Sequence, residues 1–290
     1  MQNEAQKAQV RRALFTLIGC VALALIASTA MAQAPQDQTR PSAPGTRSAT
    51  EDAPIGRDPG SPRSRFDLRV KYRQSSPDDF GVVMTPRLDS PIGLGGGWLL
   101  ALRFDLPLVL TDRASGDNPD GGEEFGFGDA LSQFFVLTPP QGASGRFRVG
   151  AGAQLLWPTA SHDEMGSGKY QLAPSVVGVA LLPELSRGSF AVLLLRDFFS
   201  YAGADDRRDI HEVSVQPGLS VNLPRRWFVS SFPDIRINWE DEGKAFVPVN
   251  LEVGLLFGRR GIVSATVDVP IVDDYHLYEW QTEFRIGFFF

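Results

Sequence analysis

The last eleven residues of the chain alternate with a period of two. Trp280, Thr282, Phe284, Ile286, Phe288 and Phe290 fall on one face of an extended segment, and Gln281, Glu283, Arg285 and Gly287 on the other. Phe289 alone breaks the polarity. The same alternation recurs upstream. Leu100, Leu102, Phe104, Leu106 and Leu108 alternate with Ala101, Arg103, Asp105 and Pro107. Val213, Val215, Leu219 and Val221 alternate with Ser214, Gln216, Ser220 and Asn222, and Val263, Ala265, Val267, Val269 and Ile271 with Ser264, Thr266, Asp268 and Pro270. From residue 66 onward the pattern predicts twelve strands, near 66–74, 79–88, 97–109, 127–137, 146–158, 170–182, 189–200, 211–223, 227–239, 246–257, 261–271 and 280–290. Only 190–199 is irregular, because Leu193-Leu194-Leu195 spoils the period.

In a soluble sandwich the charged faces of these strands meet water. In a transmembrane barrel the apolar faces meet lipid and the charged faces a polar lumen. The even number of strands, each long enough to cross a bilayer at a tilt, favours the barrel. The expected fold is therefore all-β, a transmembrane antiparallel up-and-down barrel of about 12 strands. A soluble exported β-protein is the alternative. Pro217 and Pro248 lie inside predicted strands, where each removes a ladder bond unless it sits at a bulge or a rim.

The connections agree with the barrel. Those of one set are acidic: Asp112, Asp117, Asp120, Glu123, Glu124, Asp163, Glu164, Asp205, Asp206, Asp209, Glu240, Asp241, Glu242, Asp273 and Asp274. In the other set, Pro224-Arg225-Arg226 and Gly258-Arg259-Arg260-Gly261 are tight and basic, whereas Gly-rich 89–96 and 138–145 are longer. Long acidic loops outside and short basic turns inside place Phe290 on the periplasmic side. Trp98, Trp157, Trp227, Trp239 and Trp280 all fall at strand ends, where an aromatic girdle belongs.

The chain begins with an expected signal peptide, residues 1–32: Arg11 and Arg12, an apolar core from Ala13 to Ala27, and a small-x-small site at Ala30-Met31-Ala32. Cleavage after Ala32 leaves Gln33 first. Leu17-Ile18-Gly19-Cys20 offers a competing lipoprotein box. Residues 33–65, rich in Pro, Ser and Arg, form an expected disordered linker that acts as a tail, a tether or a plug. Residues 66–290 form the barrel. Cys20 is the only cysteine, so the exported chain carries no disulfide, thiol chemistry or cysteine-ligated metal. Residues 1–32 hold three basic residues and one acidic one, so their removal takes the net charge from −6 to about −8. Such a chain is a poor nucleic-acid binder.

Side-chain parity directs Arg69, Lys71, Arg73, Arg103, Asp105, Arg148, Gln154, Glu212, Asp234, Arg236, Asn250, Glu252, Asp268, Glu283 and Arg285 to the lumen. These residues either line a solute path or form a salt-bridged plug. Parity does not choose between them. Three histidines are available for catalysis: His162, His211 and His276. Ser161-His162-Asp163 is contiguous, but a relay needs spatial geometry. Asp205, Asp206, His211 and His276 could meet at the outer rim and bind a metal. The expectation is nonetheless a protein without enzymatic activity, cofactor or metal.

Several short motifs occur in order: Gly126-Phe127-Gly128-Asp129; Trp157-Pro158-Thr159-Ala160-Ser161; Met165-Gly166-Ser167-Gly168-Lys169-Tyr170 with Pro174; Gln216-Pro217; Asn222-Leu223; Trp227 and Pro233; and Val247-Pro248-Val249 with Gly254. This ordered set resembles the outer-membrane β-barrel family of the meta-pathway of phenol degradation, described as transporters. The resemblance covers nearly all of 66–290. It implies an outer-membrane barrel that passes small aromatic or apolar solutes, with outer-membrane lipid and the barrel assembly machinery, which would read the strand ending at Phe290, as partners. The alternative is a structural or surface-interaction barrel with acidic outer loops. An outer-membrane hydrolase is the least favoured reading.

Overall fold

A computed structural model describes residues 59–77, 79–114, 118–142 and 145–290. The expected signal peptide, its cleavage site, the lipoprotein box and residues 33–58 lie outside the described residues. The described chain forms a single closed antiparallel meander, with only short 3₁₀ turns besides sheet. The strands are β1 (Arg65–Gln74), β2 (Phe80–Gly95), β3 (Trp98–Asp105 with Leu108–Thr111), β4 (Glu124–Phe127 with Ala130–Leu137), β5 (Phe147–Trp157) and β6 (Lys169–Leu181). They continue with β7 (Phe190–Gly203), β8 (His211–Asn222), β9 (Trp227–Ser231 with Ile235–Asn238), β10 (Lys244–Phe257), β11 (Gly261–Asp273) and β12 (Trp280–Phe289). β1 pairs with both β2 and β12, Arg69 lying opposite Thr85 on one side and Arg285 on the other. That double pairing removes both free edges.

Three strands are interrupted, and proline marks two of the gaps. β3 breaks at Leu106-Pro107 and resumes against β2 in the same register. β9 breaks across Phe232, Pro233 and Asp234 and likewise resumes in register against β8. Pro217 of β8 faces this gap, so its missing N–H coincides with an interruption in the ladder. Pro248 sits at a register shift between β10 and β11, opposite Pro270. Both prolines that troubled the strand reading therefore fall where the ladder is already broken.

The outer face is apolar and exposed. Phe66, Phe104, Phe134, Val176, Leu251, Val269 and Ile286 all point outward, and each is more than a third exposed. A continuous apolar belt around a closed barrel is built to meet lipid. Trp98, Trp227 and Trp280 open their strands and Trp157 closes its own, while Trp239 follows the end of β9.

Several expected boundaries move, two of them beside the lumen network. The connection at 89–96 is tight: β2 runs on to Gly95, and Gly95, Gly96 and Gly97 all take positive φ, which lets the chain turn within two residues. β1 begins at Arg65, one residue before the expected start of the barrel, because Arg65 is fixed by ion pairs to Asp67 and Asp89.

Phe289, the residue that broke the terminal alternation, points inward. With Phe228, Leu256 and Ile262 it forms a buried apolar cluster at the end of the barrel that carries the basic turns.

Candidate functional site

The registers place two different walls around the lumen. One wall, from β10, β11, β12, β1, β2 and β3, is charged. Arg87 and Asp105 make a bidentate pair across β2 and β3, with Nε–Oδ1 at 2.7 Å. Arg103 donates to Asp89 at 2.7 Å, and Arg65 donates to the same carboxylate at 2.5 Å. Arg69 reaches Glu283 at 2.9 Å and Asp67 at 3.3 Å, while Lys71 lies 3.8 Å from Glu283. Arg285 donates to Glu252 at 2.6 Å and to Ser264 at 3.0 Å. Asn250 donates to Asp268 at 2.6 Å. Arg73 reaches Gln281 at 3.3 Å and stacks over Tyr278.

A smaller ionic group spans β7, β8 and β9. Arg196 donates to Asp234 and Ser214, both at 3.0 Å. Arg236 donates to Asp234 at 3.0 Å and to Glu212 at 3.2 Å.

The facing wall, mainly from β4 to β7, is apolar over its turn-side half and polar toward the loops. Phe135, Leu137, Val177, Val179, Val192 and Leu194 share the inward parity of Gln133, Gln154 and Arg196. The charged parity of the other strands does not extend around the whole barrel, and the lumen is therefore two-faced.

A cavity of ≈ 230 Å³ lies between these walls. Asp89, Arg103 and Arg196 border it together with Phe135, Leu194 and Phe232. Pro59, Pro62 and Arg63, which precede β1, border the same cavity. The final residues of the expected linker thus lie against the lumen wall, and Phe290 N–H donates to the Ser64 carbonyl at 3.0 Å.

The residues selected by parity that stand on paired strand positions share the inward face, and Asp234 lies in the gap of β9. Arg69, Lys71, Arg103, Asp105, Glu283, Arg285 and Glu252 belong to the main charged wall, with Arg73 and Asp268 nearer its loop end. Glu212, Asp234 and Arg236 belong to the second group. Arg148 stands apart near the turn end of β5, opposite Val179. Sequence reasoning missed Arg65, Asp67, Arg87, Asp89 and Arg196, five members of the ion-pair network. Asp67 is completely buried between Arg65 and Arg69.

The histidines do not converge. His211 lies on the outward face of β8, 3.3 Å from Asp197 of β7. His276 bonds Asp273 at 2.7 Å and the Ser75 carbonyl, clamping two loops together. The expected rim grouping of Asp205, Asp206, His211 and His276 is therefore not assembled. The Ser161-His162-Asp163 side chains also diverge. Ser161 Oγ accepts from the Phe127 N–H at 3.0 Å, His162 faces Glu124 at 3.3 Å, and Asp163 faces Arg207 at 3.2 Å. Glu124, His162 and Glu164 bring three potential ligand atoms within 4.8 Å of one another at the loop end of the barrel. Nearby, the hydrogen bond from Lys169 holds the Asp209 carboxyl below the usual carboxylate range.

Comparison with solved structures settles the architecture. An outer membrane channel from Pseudomonas putida F1 superposes with a TM-score of 0.64 at 13% identity, covering 85% of this chain and 100% of that one. The fold is that of an outer-membrane barrel. The NanC porin superposes with a TM-score of 0.50 at 11% identity, covering 78% of this chain and 98% of that one. An outer membrane phospholipase A from Escherichia coli aligns with a TM-score of 0.47 at 12% identity, over 78% of this chain and 90% of that one. No protein-family model matches the chain, and no curated protein matches it.

Proposed function

We propose that this protein sits in the outer membrane of a Gram-negative-type envelope and passes small solutes with an aromatic or apolar face through its lumen. The observation that carries this reading is the two-faced lumen wall. A path for purely hydrophilic solutes has no use for Phe135, Leu137, Val192 and Leu194 on its inner surface. A barrel filled only for stability has no use for a cavity between those residues and Arg103. The ordered motifs shared with the phenol-degradation barrels point to the same class of solute.

In this reading the acidic loops face outward, and the basic turns, the start of β1 and Phe290 face the periplasm. The lipid of the outer membrane surrounds the apolar belt, and the barrel assembly machinery reads the strand that ends at Phe290. The lumen residues act by fit and charge and not by covalent chemistry. Proteoliposomes holding the full chain should swell in phenyl glucoside, a neutral aromatic solute that does not cross lipid. Failure to swell, with the barrel folded, would remove the channel reading and leave the fold.

A further inference from the structure

We propose that the lumen cavity selects solutes that join an apolar body to an anionic head group, a carboxylate first of all. This rests on the channel reading and names its substrate class.

Four guanidinium groups border the cavity, those of Arg63, Arg65, Arg103 and Arg196, against the single carboxylate of Asp89. That carboxylate is already divided between two of them, Arg65 at 2.5 Å and Arg103 at 2.7 Å. The Arg196 partner, Asp234, is likewise shared, with Arg236 at 3.0 Å. Asp67 also pairs with Arg65 at 3.1 Å and Glu212 with Arg236 at 3.2 Å, but neither borders the cavity, whose own lining holds four guanidiniums and one carboxylate, a local surplus of positive groups. Arg196 carries a second sign of incompleteness: its Nε–H is buried and finds no acceptor among the described residues. A buried donor without an acceptor is costly, and a ligand oxygen would satisfy it. This surplus runs against the chain's net charge of −6, so it is a local arrangement and not a reflection of composition.

The three head-group classes are not equivalent here. A carboxylate presents two acceptor oxygens, which match the planar fork of arginine. A neutral polar group can satisfy one N–H but leaves the charge uncompensated. An ammonium group meets four like charges. The apolar part of the lining, with Phe135, Val192, Leu194 and Phe232, takes the body of the solute. A space of ≈ 230 Å³ suits one ring with a short alkyl chain.

The test is isothermal titration of the full chain in lipid nanodiscs with 4-phenylbutyrate, 4-phenylbutanamide and 4-phenylbutylamine. These share one body and differ in head group. The carboxylate should bind about tenfold or more tighter than the amide, the gain expected of a charge-assisted hydrogen bond, with the amine weakest. Arg196→Gln should remove most of that advantage, weakening carboxylate binding far more than amide binding. Asp89→Asn releases Arg65 and Arg103 from their competing carboxylate and should tighten carboxylate binding, a gain that a misfolded protein cannot give. Equal affinity for the three heads, preference for the amine, or carboxylate binding unmoved by both substitutions would overturn the proposal. Swelling in phenyl glucoside without head-group preference leaves the channel reading standing and removes only this inference.

Discussion

Arg285 of β12 reaches across the face of β11 to Glu252 of β10 at 2.6 Å, donating to Ser264 of the intervening strand on the way. The two side chains are only 10% and 12% exposed. This contact fastens the closing strand to its second neighbour, beyond what the backbone ladder supplies.

Removing one partner strands the other in a poorly solvated wall. Arg285→Ala should therefore destabilise the barrel by about 3 kcal/mol, because a buried charge is left uncompensated. Replacing both, as Arg285→Met with Glu252→Leu, should restore most of that loss. Denaturant midpoints in detergent, read from the heat-modifiable gel mobility, check both outcomes.

Phe289 and Phe290 are adjacent and should behave as opposites. Phe289 is buried with Phe228, Leu256 and Ile262, whereas Phe290 is 67% exposed. Phe289→Ala should cost about 3–5 kcal/mol through the cavity it leaves. Phe290→Ala should leave the unfolding midpoint nearly unchanged and reduce the yield of assembled barrel in cells. Unfolding of the purified variants, set beside their level in outer-membrane fractions, separates the two effects.

Gly152 of β5 is held against β4 so closely that a Cβ would lie 1.9 Å from the Phe134 carbonyl oxygen. That neighbour is backbone and cannot swing away. Gly152→Ala should cost about 3 kcal/mol or more, the upper end of overpacking penalties, and lower the refolding yield. Alanine at Gly93, which has open space around its Cβ position, is the matched control and should refold like the parent.

His276 gives the outer loops a pH dependence. Its two bonds, to the Asp273 carboxylate and the Ser75 carbonyl, use both ring protons and raise its pKa above the ordinary imidazole value. A group whose pKa is higher folded than unfolded adds stability that is complete below the unfolded pKa. That stability is lost as pH rises through the folded value. Hydrogen exchange of the amides at Ser75 and Ser76 should therefore speed up, beyond the intrinsic rate, as pH rises above about 6.5, the unperturbed imidazole value. His276→Gln should flatten that rise.

Much of this molecule was legible in the sequence because period-two alternation fixes both strand and side-chain direction. Arg69, Arg103, Glu252, Glu283 and Arg285 reach the lumen by parity alone. The residues that parity missed fall into three groups, each with its own physical cause. Arg196 lies beside Leu193-Leu194-Leu195, where an apolar inner wall meets an apolar outer one and the alternation disappears. Had Leu194 been read as inward, Arg196 would have followed two positions later. Arg87 and Asp89 lie at the junction of β2 and an apparent Gly-rich loop, although β2 continues to Gly95. Arg65 and Asp67 open the barrel next to a segment whose composition reads as linker. The apolar side of the lumen had no signature of its own, since an inward valine looks the same as one that faces lipid.

The swelling of proteoliposomes in phenyl glucoside, with sucrose as the polar control and protein-free vesicles as the blank, bears most directly on the channel reading. Swelling in phenyl glucoside should be faster than in sucrose and absent without protein. Folded barrels that admit neither solute, or that admit sucrose as readily as phenyl glucoside, would contradict it.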